Sequence, residues 1–228
     1  MQIIAHRGAS AECVENTLEA FKRAYEEGAD FIEFDLQQTS DNRLVIFHDS
    51  HFQDGVNISD ITYKEFKERT DSLGIPAPLF KDALEFLRGK AGINIELKRL
   101  FDLDLLLSEI TLFPHDKILF SSFDHTMIAS LLKKAPNAMT GTLMVSRVIN
   151  PFVCMRPLHS KILIQHYGFV TKDFVETVHK HNCKIFVWTV NYISDIYWFI
   201  NLGVDGIFTD YPARVREIVS ELSQKVPV

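Results

Sequence analysis

Short apolar runs and amphipathic stretches alternate about eight times along this 228-residue chain, and that rhythm limits the fold more than any other feature. Strands are expected over residues 3–6, 31–36, 93–97, 118–121, 139–145, 162–164, 184–190 and 206–209. Helices are expected over 17–27, 81–87, 102–111, 125–134, 172–180 and 193–201, with a last one opening at Pro212. Asn16 stands where an N-cap belongs, and Gly28 and Gly203 stand where helices end. Strict alternation implies a parallel sheet, and eight units imply an α/β fold of the closed (β/α)8, or TIM-barrel, kind. One domain over 1–228 is expected, with a small insertion after the second strand at about 50–78. That stretch follows a short extra strand at 44–47 and carries turns at Asp54-Gly55 and Leu73-Gly74, with one short helix at 63–69. Residues 150–160 show no clear pattern, and the tail from Lys225 to Val228 is expected to fray.

Composition narrows the function classes. With 46% hydrophobic residues the chain can bury a large core, yet no apolar run reaches the length that spans a bilayer, so no stable membrane insertion is expected. The N-terminus runs directly into a strand, which leads us to expect no secretory signal. Three widely spaced cysteines, Cys13, Cys154 and Cys183, form no CxxC pair and fit a reducing cytoplasm better than a disulfide framework or zinc site. A net charge of -6 argues against nucleic acid as a partner. It leaves open an anionic small molecule, for which local charge matters.

The chemistry gathers at predicted strand ends. In the run FIEFDLQ, Glu33 and Asp35 share one face of a strand, while Ile32, Phe34 and Leu36 share the other. In the run INIELK, Asn94, Glu96 and Lys98 do the same. Three carboxylates on neighbouring strands suit a hard divalent cation, Mg2+ or Ca2+, although ion pairs with Arg7 or Lys98 would serve the same acids. His6 and His48 each close a strand, and an imidazole pair near neutrality suits acid–base work. Arg7 and Lys98 are the cations for a phosphate. Three acids, these two cations and one divalent ion leave a single positive charge, matched to a phosphodiester. Trp188 and Phe123 read as core side chains or as a wall for an apolar part of the substrate. His51, His166 and Asp210 read as structural, and nothing marks Cys13 as activated.

These residues, in this order, resemble the glycerophosphodiester phosphodiesterases, especially the small bacterial cytoplasmic type. The resemblance rests on His6-Arg7-Gly8, Glu15-Asn16-Thr17, Glu33-Phe34-Asp35, His48-Asp49, Asn94-Ile95-Glu96-Leu97-Lys98, Ser122-Phe123, Val187-Trp188-Thr189-Val190-Asn191 and Gly206-Ile207-Phe208-Thr209-Asp210. It implies a (β/α)8 barrel with a small insertion after the second strand. It also implies a divalent metal on Glu33, Asp35 and Glu96, with His6 and His48 as the catalytic pair. Arg7 would contact phosphate, Lys98 would share its pocket, and Trp188 would line the glycerol side. Two positions depart from the family pattern: Val14 replaces a proline before Glu-Asn-Thr, and the insertion carries Gln53-Asp54-Gly55-Val56 in place of an Arg-Thr-Thr run.

The expected reaction is metal-dependent hydrolysis of a small-molecule glycerophosphodiester to sn-glycerol 3-phosphate and an alcohol. The nucleophile is either the neighbouring glycerol hydroxyl or water. One rival is a phospholipase of the C or D type on the same barrel, which would need an apolar rim facing lipid. Another is a catalytically silent barrel that only binds. Headgroup, native metal, the division of labour between the histidines and the oligomeric state are not legible.

Overall fold

A computed structural model describes residues 1–100 and 102–224; the expectation for the tail from Lys225 falls outside it. Among the described residues there are nine strands and nine α-helices, alternating except where β2 is followed by β3 and α2 by α3. In chain order they are β1 (Gln2–Ala5), α1 (Leu18–Glu26), β2 (Phe31–Gln38), β3 (Leu44–Ile46), α2 (Tyr63–Ser72), α3 (Phe80–Leu87) and β4 (Gly92–Arg99). There follow α4 (Leu103–Glu109), β5 (Ile118–Ser122), α5 (His125–Lys134), β6 (Met139–Met144), α6 (Phe152–Met155) and β7 (Ile162–His166). The chain ends with α7 (Lys172–Lys180), β8 (Lys184–Trp188), α8 (Ile193–Leu202), β9 (Gly206–Thr209) and α9 (Pro212–Gln224). Eight strands pair in parallel in the order β1-β9-β8-β7-β6-β5-β4-β2, and pairing of β1 with β2 closes the ring. The barrel is therefore the expected one. The ninth strand, β3, runs antiparallel to β2 and lies outside the ring.

Strand alternation divides the apolar residues into two layers. Ile4, Phe31, Leu119, Leu143, Ile162, Ile164, Phe186 and Phe208 fill the barrel interior. Ile32, Phe34 and Leu36 face outward, against the helices. Phe34 packs between Phe21 of α1 and Phe80 of α3, with ring centroids 5.6 and 6.0 Å away. Burying such a ring contributes roughly 1.5–3 kcal/mol. The floor of the barrel is made tight by glycines: a Cβ on Gly92 would lie 2.6 Å from the Phe31 ring.

Several local readings change, among them the bounds of β2, which runs on to Gln38, and of β8, which stops at Trp188. The N-cap of α1 is Thr17, whose side chain accepts from Ala20 N, and not Asn16. Asn16 instead adopts a left-handed φ of 58° and turns its amide toward β2. Residues 150–160, unpatterned in sequence, form only the one-turn α6 and a 3-10 turn over Arg156–Leu158. Strand β7 runs two residues further than expected, which places His166 at its end.

The stretch from 50 to 78 packs Phe52, Ile58, Ile61 and Phe66 with Val45 of β3 into a small separate core. Helix α2 within it opens on a capping box between Thr62 and Glu65. Phe47, just before His48, packs edge-on to Phe66 at 5.7 Å.

Candidate active site

The inward faces of the strands end, at the C-terminal mouth of the barrel, in a cavity of about 100 Å3. His6, Arg7, Glu33, His48, Glu96, Lys98 and Trp188 all line it, with Ser121, Phe123, Leu143 and Phe208. Asp35 lies beside Glu33 and Glu96, fully buried. The residues picked from sequence are thus brought together from β1, β2, β4, β8 and the loop after β3. The cavity has two unlike halves. Strands β1, β2 and β4 supply its charges, and strands β5, β6, β8 and β9 supply Phe123, Leu143, Trp188 and Phe208.

Glu33, Asp35 and Glu96 each offer an oxygen, and these oxygens lie within 4.8 Å of one another. Burial, then the nearby Asp35, pushes the Glu33 carboxyl up to about 8. Burial and Asp35 also raise Glu96. Burial alone would raise Asp35, but Lys98 and Arg7 beside it outweigh this and hold it below the usual range. Glu33 Oε2 accepts from Arg7 N at 2.8 Å, while its Oε1 is buried with no partner. A buried carboxylate oxygen left unpaired is costly. An all-oxygen set with such an orphan fits the hard divalent cation implied by the sequence.

The cations are engaged with these acids, as the ion-pair reading of them expects. Lys98 Nζ lies 3.1 Å from Asp35 Oδ1 and 2.5 Å from Glu96 Oε1. Arg7 has a left-handed φ of 57°, which turns its side chain back over the mouth, where Nη1 donates to both oxygens of Glu15. Its Nε lies 3.2 Å from Asp35 Oδ2 but is not aligned to donate to it. Asn16 clamps Asp35 from both ends: its Nδ2 donates to Oδ2 at 2.9 Å and its Oδ1 accepts from the backbone N–H.

Each histidine is backed by a carboxylate. His6 Nδ1 lies 2.7 Å from Asp210 Oδ1, and His48 Nδ1 lies 2.8 Å from Asp49 Oδ1. Each pair leaves Nε2 as the nitrogen available for proton exchange. Burial works to lower the His6 imidazole, but its hydrogen bond to Asp210 and the charge of Glu33 raise it overall. Asp210 is itself held by Ser10 Oγ at 3.0 Å and by Asn191 Nδ2 at 2.5 Å. The His48 loop is pinned from below by Gln37, whose buried amide donates to the carbonyls of Phe47, His48 and Asp49. Of these supports, Asp49, Asn191 and Asp210 stand within the quoted sequence motifs, Asp210 being read as structural, whereas nothing in the sequence pointed to Ser10 or Gln37. The His6–Asp210 contact bridges 204 positions, a separation that no local pattern marks.

The comparisons with known proteins agree with this geometry. The model of the glycerophosphoryl diester phosphodiesterase family matches residues 6–214. The chain belongs to that family. A glycerophosphodiester phosphodiesterase from Bacillus altitudinis is 34% identical, over 97% of this chain and 99% of its own. Another, from Caldanaerobacter subterraneus subsp. tengcongensis, is 32% identical over 95% and 97%. Among solved structures, an Oleispira antarctica phosphodiesterase in complex with the product sn-glycerol-3-phosphate superimposes with a TM-score of 0.88. It is 25% identical and covers 96% of this chain and 97% of its own. The chain is accordingly an enzyme, a phosphoric diester hydrolase of the glycerophosphodiester class.

Proposed function

We propose that this hydrolase cleaves glycerophosphodiesters to sn-glycerol 3-phosphate and an alcohol, using the paired histidines and a divalent cation. The observation that supports it most is the convergence of two carboxylate-backed imidazoles on one cavity floored by three acids. Glu33, Asp35 and Glu96 would hold the cation, Mg2+ or Ca2+, which when bound supplies Lewis-acid polarisation of a phosphate oxygen. Arg7 and Lys98 bind the remaining phosphate charge and stabilise its growth during the reaction. His6, whose pKa the Asp210 hydrogen bond raises, gives its Nε2 proton to the leaving alcohol. His48, oriented by Asp49, takes the proton from the attacking hydroxyl or water. Phe123 and Trp188, 5.4 Å apart, form the wall against the uncharged glycerol carbons. We read the whole of 1–228 as one catalytic domain, with the stretch at about 50–78 as its insertion. A cytoplasmic workplace fits the three free cysteines. No helix among the described residues is long and apolar enough to cross a membrane.

The test is release of sn-glycerol 3-phosphate from glycerophosphocholine and glycerophosphoethanolamine. Turnover should stop with excess EDTA and return with Mg2+ or Ca2+; full activity under chelation removes the metal from the scheme. His6→Ala and His48→Ala should each lower kcat by about 10²–10⁴-fold with the fold intact. A variant that keeps the wild-type rate takes its histidine out of the mechanism.

A further inference from the structure

A second cavity, of about 410 Å3, lies at the opposite end of the barrel from the candidate active site, and the proposed reaction makes no use of it. Its walls come from α6, from the 3-10 turn over Arg156–Leu158 and from the residues that lead into β7 and β8. Arg156, His159, Lys161 and His181 line it, and among the described residues no carboxylate does. Segments 156–161 and 177–184 hold no acid at all, in a chain of net charge -6. Lys22, Lys67, Arg69 and Lys134 each pair with a carboxylate. Arg156 and Lys161 have no such partner among the described residues. Asp205, the acid before β9, is already engaged by His179 and by the Ile185 N–H. Cations gathered without a counter-charge make a local field that favours an anion.

Local structure fixes these groups. His159 takes a left-handed φ of 47°, uncommon for a residue with a Cβ. Ser160 locks that turn: its N–H donates to Met155 O and its buried hydroxyl donates to Thr140 O at 2.8 Å. His181 Nδ1 donates to Thr177 O at 2.9 Å, which leaves Nε2 for a ligand. The His181 ring stacks on Phe152, with centroids 3.9 Å apart and planes at 21°. Phe152 is buried and His181 exposed, so the imidazole offers its outer face as a flat surface. The stretch 150–160, unpatterned in sequence, thus builds one wall of a site. Arg156 and Lys161 suit phosphate oxygens. A phosphate monoester titrates near about 6 and an imidazole near about 6.5, so the two share a proton at neutral pH. Phosphate alone fills only part of such a volume, and the stacked imidazole above Met155 suits a planar body attached to it.

We propose that this cavity binds a phosphate monoester carrying a planar heterocycle, the chemistry of a nucleoside 5′-monophosphate. Arg156 and Lys161 take the phosphate, with His159 beside them, and the heterocycle stacks on His181. The site is separate from the diester site and does not rest on the phosphodiesterase reading.

The experiment is isothermal titration calorimetry on the full chain in EDTA, with AMP, adenosine, inorganic phosphate and sn-glycerol 3-phosphate as probes. AMP is expected to bind one to one, at least about tenfold more tightly than adenosine or phosphate. Saturating sn-glycerol 3-phosphate should leave AMP binding unchanged. Arg156→Gln and Lys161→Gln should each weaken AMP about tenfold or more, and His181→Ala should bring it down to the level of inorganic phosphate. All three variants should hydrolyse glycerophosphocholine at the wild-type rate. Arg156 and Lys161 are exposed, so their variants keep the fold and decide the matter even where His181→Ala lowers Tm. Absence of AMP binding overturns the proposal. So does adenosine or phosphate binding as tightly as AMP, or AMP displaced by sn-glycerol 3-phosphate, which would put it in the diester site. A single-stranded oligonucleotide that binds more tightly than AMP also overturns it, by giving the cavity to nucleic acid. If glycerophosphocholine is not hydrolysed, the phosphodiesterase reading fails, and the titrations still decide this site.

Discussion

At the scale of single residues, the site is governed by how buried charge is compensated. Glu33, pushed up to about 8 by burial and then by Asp35, is the group that most needs a cation. Its folded pKa lies above the ordinary 4.5, so the metal-free native state holds a proton that the unfolded chain releases. Stability from this group is full below about 4.5 and is lost as pH rises toward 8. Glu96 acts in the same direction, and Asp35, held low, stays ionised throughout. EDTA-treated protein should therefore show a Tm that falls from about pH 5 to about pH 8, and Mg2+ or Ca2+ should raise Tm most at the upper end. Glu33→Gln should flatten both responses; a Tm flat with pH in the wild type contradicts the assignment. The His6–Asp210 pair invites a second measurement. Asp210→Asn removes the carboxylate that raises His6, so the limb of the kcat profile belonging to His6 moves to lower pH. Asp49→Asn should leave that limb where it is, since Asp49 sits on the other histidine.

At the scale of elements, what matters is how loops are fixed to the strands that carry the acids. Strands β2 and β4 hold their carboxylates rigidly, since Asp35 pairs with Glu96 in register. His48 has no strand under it, because β3 ends at Ile46. Its position depends on Gln37 from below and on Phe47 packing into the small core of residues 50–78. Gln37→Leu leaves the carbonyls of Phe47, His48 and Asp49 short of a part-buried donor and should cost about 1–3 kcal/mol in denaturant unfolding. It should also lower kcat about tenfold or more through a misplaced His48, with KM changed less. Normal turnover in a correctly folded Gln37→Leu variant would assign the His48 position to other contacts.

At the scale of the whole molecule, the barrel separates stability from chemistry. The lower layer of the interior is apolar and tight, with Gly92 against Phe31 and Gly206 against Phe186. The upper layer gathers the charged groups and the apolar wall of the candidate site, at the C-terminal mouth where such barrels carry their sites. Gly92→Ala drives a Cβ into the Phe31 ring and should destabilise by about 1–3 kcal/mol, while kcat and metal response stay unchanged. Phe31→Leu should recover part of that loss in the double variant, as contact residues couple. A fall in kcat that exceeds the loss of folded protein would show that floor and mouth are linked.

The sequence by itself determined the barrel, because eight apolar runs of strand period leave one closed parallel arrangement that buries them all. It also determined which acids share a face, since side chains alternate along a strand whatever surrounds it, and Glu33, Asp35 and Glu96 meet for that reason. Its motifs likewise led to His6, Arg7, His48, Lys98 and Trp188, all of which line the cavity. Only the tertiary structure decided what lies behind and beside them. Asp210 reaches His6 from the far end of the chain, Asn16 leaves its capping position to clamp Asp35, and β7 extends to set His166 against Trp188. Each of these depends on closing the ring of strands. Closure brings β9 beside β1 and lines up loops distant in sequence, and no local periodicity encodes that juxtaposition.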